Sequence, residues 1–327
     1  MQVKLSDLEG AVISGVKKLG YQEEEVKVIS DVLLYAQLRN NNQGITKIAT
    51  GGVPLAKDVK PLQLIKENKC GAMFSGGHSM IATDKAVEKA LSLAKEHGVG
   101  IATVNNTYSS SGALGYFSRK IAKEGMIGLV CVGNGPFAFV APHGPAEAKL
   151  GTNPFSYSFP FEGGEVVFDN ATAAIAYFGV VEAKLKSEEL PEGLGFDKAG
   201  NPSINPADVL EGSVATFADH KGYGLSLLVQ LLGGPLALAG FPGYHEDDGA
   251  GTFVLAIDPE ILAGKKEFLK RSTELVKSLQ ASKPLDGYEK VYVPGERGDQ
   301  ITSSYKKSGT IEVPDGVWNE LQKFLSK

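Results

Sequence analysis

Between residues 83 and 132 the chain switches twice between helical and strand-like hydrophobic spacing, and this constrains its fold more than any other feature. Ala86, Val87, Ala90, Leu91 and Ala94 recur at helical spacing over residues 83 to 97, and Gly98 ends the run. Val99 to Val104 then reads as a short strand. A second helix, starting between Ser110 and Gly112, carries Leu114, Phe117 and Ile121 inward and stops at Gly125, before a strand from Met126 to Val132. Helices interleaved with strands must pack on a shared sheet, so the chain is an α/β protein.

The flanking regions are helical. Leu5, Leu8, Val12, Val16 and Leu19 line one helix face, and Ser6 with Glu9 has the form of a capping box. After Gly20 a second helix places Glu23, Glu24 and Glu25 in its first turn and Arg39 at its far end, as the helix dipole favours. Its apolar face is Val26, Ile29, Val32, Leu33 and Ala36. Residues 40 to 44 (Asn-Asn-Asn-Gln-Gly) then break the periodicity with turn-forming amides. Further strands are expected at Glu165 to Phe168 and Gly251 to Asp258, and further helices at about 172–186, 221–233, 259–281 and 315–326. Residues 187–212 read as an ordered surface loop.

Composition narrows the function. With 43% hydrophobic and 22% charged residues over 327 positions, the chain can bury a large core. Its net charge of −5 and the lack of a basic stripe exclude nucleic acid as a partner. No segment is apolar for long enough to span a bilayer, and the N-terminus does not resemble a signal peptide, so no membrane partner and a cytoplasmic location are expected. Cys70 and Cys131 read as reduced thiols.

Common motifs fail. Gly98 to Gly100, Gly133 to Gly135 and Gly222 to Gly224 each begin a G-x-G without the third glycine of a Rossmann turn, and no P-loop or G-x-S-x-G elbow occurs. His245-Glu246-Asp247-Asp248 is contiguous, which points its side chains apart, so it reads as a solvated acidic loop and no metal site is expected.

Four segments carry a resemblance. They are Gly151-Thr152-Asn153-Pro154 with Pro160 and Asp169-Asn170-Ala171-Thr172; His220-Lys221-Gly222-Tyr223-Gly224-Leu225; Gly112-Ala113-Leu114-Gly115-Tyr116 with Gly125-Met126-Ile127-Gly128; and Val293-Pro294-Gly295-Glu296. Together, in the family's order along the chain and over nearly its whole length, they resemble the type-2 malate/L-lactate dehydrogenase family of non-Rossmann NAD(P)H-dependent oxidoreductases. That resemblance implies a mixed, largely antiparallel sheet domain binding NADH or NADPH over residues 61–282, with a smaller inserted subdomain around 120–190. It also implies a helical domain from 1–60 and 283–327, a small carboxylate substrate, and a homodimer.

The resemblance implies a cofactor site as well. Lys221 and the backbone N–H groups of Gly222 to Gly224, at a helix start, suit a pyrophosphate. His220 is read as a cofactor contact beside them. Thr152 and Asn153 are placed to hydrogen-bond the nicotinamide amide or ribose, with Pro154 fixing the loop. His143, in the segment leading to Gly151, is a further candidate. His97 suits the dipole at a helix end, and His78 reads as a loop residue. Asp169 is open to two readings, the N-cap of the following helix or a carboxylate that orients the reacting groups.

The sequence departs from the family at its catalytic histidines. Family members carry a Ser-His-Gly near the end of the second helix, its histidine taken as proton donor to the substrate carbonyl; here the stretch is Asn42-Gln43-Gly44. A second family histidine falls close to Ser110. Gln43 cannot donate a proton at neutral pH, although it can hold a substrate oxygen or nitrogen. Tyr108, Lys47 or a water ordered by Asp169 are the candidate acids, and Lys47 stands where many members have an arginine that could pair with a substrate carboxylate. An iminium already carries its proton, so a cyclic or N-alkyl imino acid is expected slightly ahead of a 2-oxo acid. The rival expectation is a noncatalytic nucleotide-binding protein derived from the family.

Overall fold

The alternating segments assemble into one large sheet. In the computed structural model, which describes residues 1–244 and 249–327, β1 (Gln2–Lys4) leads into α1 (Leu5–Lys18), α2 (Glu23–Gln37) and the single turn α3 (Thr46–Ala49). There follow β2 (Gln63–Glu67), β3 (Gly71–Ser75), α4 (Ser79–His97), β4 (Val99–Thr107), α5 (Leu114–Lys123), β5 (Ile127–Gly133), β6 (Phe155–Phe161), β7 (Gly164–Asn170) and α6 (Tyr177–Lys186). The remainder comprises β8 (Gly195–Phe196), α7 (Pro206–Glu211), β9 (Ser213–Val214), α8 (Asp219–Gly233), β10 (Ala250–Ile257), α9 (Lys265–Gln280), α10 (Glu296–Ser308), β11 (Thr310–Glu312) and α11 (Asp315–Ser326).

Seven strands are ordered β2-β3-β4-β10-β5-β6-β7, and only β3 and β4 run parallel. The fold is therefore α/β with a mixed, largely antiparallel sheet. Period-two alternation gives β10 two apolar faces. Val254 and Ala256 join Val104 and Val130 in a core shared with α4 and with the N-terminal helices, while Phe253 packs with Cys131 and Val229 of α8 on the opposite face. A second apolar cluster gathers Phe139, Val140, Leu150, Val180, Val209 and Val214. The sheet is thus covered by α4 and α5 on one side and by α8 on the other, which sets β5 and β10 against the C-terminal half of α8, at Val229, Gln230 and Gly233.

Local signals account for most element ends. Gly98 takes the left-handed conformation (φ 81°) that closes α4, and its N–H donates to the Ala94 carbonyl. The expected Ser6 capping box does not form. The β1–β11 pairing fixes the entry to α1, so the helix starts at Leu5, and Ser6 Oγ donates to Asp7 instead. The capping box belongs to α2, between Gln22 and Glu25. α4 begins at Ser79, ahead of residue 83, because His78 caps it by accepting the Met80 N–H at Nδ1. His78 is accordingly a buried cap packed edge-on against Tyr21, not a loop residue, and burial pushes its imidazole down to about 3.

Other boundaries shift for tertiary reasons. α5 starts at Leu114, α6 at Tyr177 because residues 172–174 are held extended by Thr152 and Ala215, and α8 at Asp219. The expected 259–281 helix divides at Gly264 (φ 76°) into a 3₁₀ turn, Pro259–Ile261, and α9. Residues 187–212 hold β8 and α7 rather than loop alone. The acidic stretch at 245–248 lies outside the described residues.

Candidate active site

A cavity of about 420 Å³ opens where the α2–α3 connection, the end of β7, the start of α6 and the β5 and β10 edge converge. Of the candidate residues, Gln43, Lys47, Ser110, Thr152, Pro154 and Asp169 line it. Asn42, Asn134, Tyr177 and Phe178 complete much of the wall. Among the described residues its ionisable side chains are Lys47, Asp169 and Tyr177, and no histidine reaches it.

The amide-rich turn after α2 is ordered by its own hydrogen bonds. Gln43 N–H donates to Asn41 Oδ1, and Gln43 Nε2 donates to Asn42 Oδ1 at 2.9 Å. That leaves Gln43 Oε1 as the acceptor the side chain offers to the cavity. One turn further on, Lys47 is fully buried; its Nζ has no hydrogen-bond partner and lies 3.9 Å from the centre of the Phe178 ring. Burial alone pulls its ammonium down to about 7.

Asp169, near the end of β7, resolves its two readings in an unexpected way. It does not cap the helix that follows it. Its Oδ2 accepts the Gly115 N–H at 2.8 Å, so it caps α5, which β7 packs against. Burial raises its carboxyl to about 6, while hydrogen bonds from Gly115 and Leu114 oppose the rise. Ser110 Oγ accepts the Gly112 N–H at 3.1 Å. Tyr108 is not on the cavity wall, and its hydroxyl accepts from Lys60 Nζ at 3.4 Å.

The cofactor candidates divide. Thr152 Oγ1 donates to Asn134 Oδ1 at 3.1 Å, and Asn153 N–H donates to the same oxygen at 2.8 Å. Asn153 itself turns inward: it is fully buried, and its Nδ2 donates to the carbonyl and hydroxyl of Ser226 in α8. It therefore fastens the loop to the helix rather than facing a ligand. Asn134, which no motif singles out, is the hub of that clamp. Thr172 adds a tie through Oγ1 to the Thr152 and Asn153 carbonyls.

At the head of α8, Ala218 (φ 47°) and Asp219 (φ 53°) are both left-handed, and His220, Lys221 and Gly224 are exposed. The helix starts two residues earlier than Lys221, and the Lys221 N–H donates to the Ala218 carbonyl at 3.2 Å, so the N–H groups left open at the helix start are those of Asp219 and His220, while the Gly222 and Gly224 N–H groups fall within the helical ladder. Gly222 serves packing: a Cβ there would lie 1.8 Å from the Phe217 carbonyl oxygen. Gly224 faces open space. The structure brings His143 to His220, with ring centres 5.9 Å apart.

A family model for malate/L-lactate dehydrogenase matches residues 3–322. The chain belongs to the malate/L-lactate dehydrogenase family. Among its relatives is L-sulfolactate dehydrogenase of Methanocaldococcus jannaschii, 31% identical over 100% of this chain and 97% of that protein. A solved structure of sulfolactate dehydrogenase from that organism superposes with a TM-score of 0.81, covering 100% of this chain and 97% of the other at 31% identity. A Delta(1)-pyrroline-2-carboxylate/Delta(1)-piperideine-2-carboxylate reductase of Pseudomonas putida is 33% identical over 63% of this chain and 62% of its own. The NAD(+)-named ureidoglycolate dehydrogenase of Escherichia coli O157:H7 is 26% identical over 98% and 95%. The protein is thus an oxidoreductase of a family that uses nicotinamide cofactors.

Proposed function

We propose that the protein transfers hydride from NADH or NADPH to a small 2-oxo or 2-imino acid, with a cyclic or N-alkyl imino acid favoured over a ketone. The observation that carries this reading is the cavity wall, where Gln43 and Ser110 stand and, among the described residues, no histidine does. Ketone reduction needs a proton donor matched to neutral pH, whereas an iminium brings its proton with it. Gln43 Oε1 suits the N–H of such a substrate, and Asp169, ionised above about pH 6, favours its positive charge. The relative named for cyclic imino acids supports the same preference.

The donor set fits a dinucleotide. The first-turn N–H groups of α8 with Lys221, His220 and His143 would hold the pyrophosphate, and Thr152 and Pro154 would flank the nicotinamide. When bound, the nicotinamide supplies the hydride. This reading keeps the sheet part, 61–282, as the cofactor-binding unit and the terminal segments, 1–60 and 283–327, as its helical partner across the cleft.

The reading includes a homodimer in the cytoplasm. Leu225, Leu227, Leu228 and Leu231 of α8 are 37–50% exposed, an apolar stripe suited to a second copy. Both cysteines are free, and no helix among the described residues is long and apolar enough to cross a membrane.

The test is NAD(P)H oxidation by purified protein over a panel of 2-oxo acids and a panel of cyclic and methylamine-derived imines, across pH. Faster turnover of imines is expected. Turnover confined to ketones and unchanged by Gln43→His would sink the imine preference. Cofactor binding with no turnover on either panel would instead identify a noncatalytic nucleotide-binding protein.

A further inference from the structure

Phe178, the second residue of α6, borders two hollows at once. One is the active-site cavity of about 420 Å³. The other is a groove of about 580 Å³ between the end of α2, the outer face of α6 and the segment leading from β11 into α11. Among the described residues only Asn41, Asn42 and Phe178 line both, so these three form the wall between them.

The wall stands beside the groups that would meet a substrate. Gln43 Nε2 donates to Asn42 Oδ1 at 2.9 Å, so the side chain offered to the substrate nitrogen is itself bonded to one member of the wall. Asn41 Oδ1 accepts the Gln43 N–H. The two amides are thus committed within their own turn, and the Phe178 ring supplies the bulk of the partition. Its centre lies 3.9 Å from Lys47 Nζ, a nitrogen buried without a hydrogen-bond partner.

α6 fixes the ring from behind. Val180, two residues on and so on the other side of the helix, is fully buried in the apolar cluster with Leu190 and Val209. A Cβ at Gly179 would sit 3.6 Å from Asn42 Nδ2, so the helix start abuts the amide turn directly. The far side of the wall suits a hydrocarbon chain. Val313 is fully buried there, and Val181 and Val317 are half-buried. Glu182 pairs with Lys186 at 2.7 Å and Asp315 with the Met1 ammonium at 2.7 Å, while Glu312 is exposed.

We propose that Phe178 is the specificity-determining residue of the cleft: its ring ends the space for the substrate's side chain, confines the protein to short 2-imino or 2-oxo acids, and shuts off a groove that would admit a longer chain. The proposal rests on the acid-reductase reading above and adds the size class of the substrate. Removing the ring joins the two hollows.

Calorimetric titration of the full-length protein with NAD⁺ present reads the wall without turnover, using butanoate and octanoate, saturated acids that cannot accept hydride. The wild-type protein is expected to bind butanoate at least as tightly as octanoate, although each added methylene favours burial. Phe178→Ala should bind octanoate at least about tenfold more tightly than the wild type does, at about threefold per methylene that enters the groove, with butanoate changed by less than about threefold. Phe178→Leu should fall between. Val181→Trp added to Phe178→Ala refills the groove from its far side and should restore the short-chain preference. In kinetics, the ratio of kcat/KM for the methylamine-derived imine of 2-oxooctanoate to that of pyruvate should rise at least about tenfold in Phe178→Ala.

Tighter binding of octanoate than butanoate by the wild-type protein, no gain for octanoate in Phe178→Ala, or an equal gain for both acids would each overturn the proposal. The wild-type comparison stands even if the variants do not fold. A reversal of chain-length preference in binding, without NAD(P)H oxidation on any imine, would leave this inference intact and remove the reductase reading. Imine turnover with the same length preference in Phe178→Ala would do the reverse.

Discussion

Two buried cations define opposite ends of the molecule's electrostatic design. Arg119, in α5, is held by a bidentate contact to Asp299 at 2.5 Å for each nitrogen, with Arg39 reaching the same carboxylate at 2.6 Å and Glu165 at 3.7 Å from its Nε. Lys47 has an aromatic face and nothing else. The first arrangement ties α2, α5 and α10 together through two guanidinium groups on one carboxylate, with only the Arg119 Nε left without a hydrogen bond. The second is left incomplete inside a cavity, at a cost to the empty protein. A satisfied charge marks structure here, and an unsatisfied one marks the site.

The sharpest break in that contrast is Lys47→Met. Removing the one cation on the wall among the described residues should lower kcat/KM for a carboxylate substrate by about 100-fold or more, while the melting temperature of the ligand-free protein rises by at least about 2 °C. A loss of both activity and stability would place Lys47 with Arg119 as a structural cation. Asp299→Ala should act in the opposite sense, destabilising the fold by about 2–3 kcal/mol in denaturant titration with little change in KM, because two guanidinium groups lose their partner although the Asp299 side chain is 40% exposed.

Asp169→Asn comes next. It keeps an acceptor for the Gly115 N–H but removes the negative charge, so kcat for an imine should fall about tenfold. The folded carboxyl titrates near 6, above its ordinary 3.8, so the folded state binds more protons between those values. Its cost to stability is complete above about pH 6 and disappears as pH falls through 6 toward 3.8. The variant should therefore be the more stable protein at neutral pH and lose that margin in acid.

The smallest effect is a slope. Lys47 titrates near 7 when folded against 10.5 otherwise, so the unfolded chain binds more protons between those limits and stability rises with pH across them. Denaturation midpoints at neutral and alkaline pH should show the wild-type protein gaining on Lys47→Met. Parallel behaviour of the two would show that the amine keeps its proton throughout.

How much of this was legible in advance follows from the range of the interactions involved. The 83–132 alternation, the two N-terminal helices and the family segments depend on local periodicity and local residue choice, and they are plain in the sequence. Gln43, Lys47 and Asp169 could be singled out as cavity residues, but not their states. The burial of Lys47 depends on Gly52 folding over its stem and Phe178 arriving from α6. Asp169 caps a helix 54 residues away in sequence, which no adjacent residue signals. Asn134 joins the site only through the clamp on Asn153. Strands β2, β3 and β6 and helix α10 were not anticipated; β2 is exposed throughout and α10 buries none of its residues, which leaves little apolar pattern to read in those two.

In the proposed function the head of α8 would hold the dinucleotide while its leucine stripe faces outward, and Asn153 pins the same helix to the loop at Thr152 through Ser226. A single rigid rod thus belongs to two binding equilibria. If a second copy seated on the leucines shifted the donors at the helix head, the two proposed equilibria would be linked, reciprocally. Cofactor affinity would then depend on protein concentration, and dilution alone would change it.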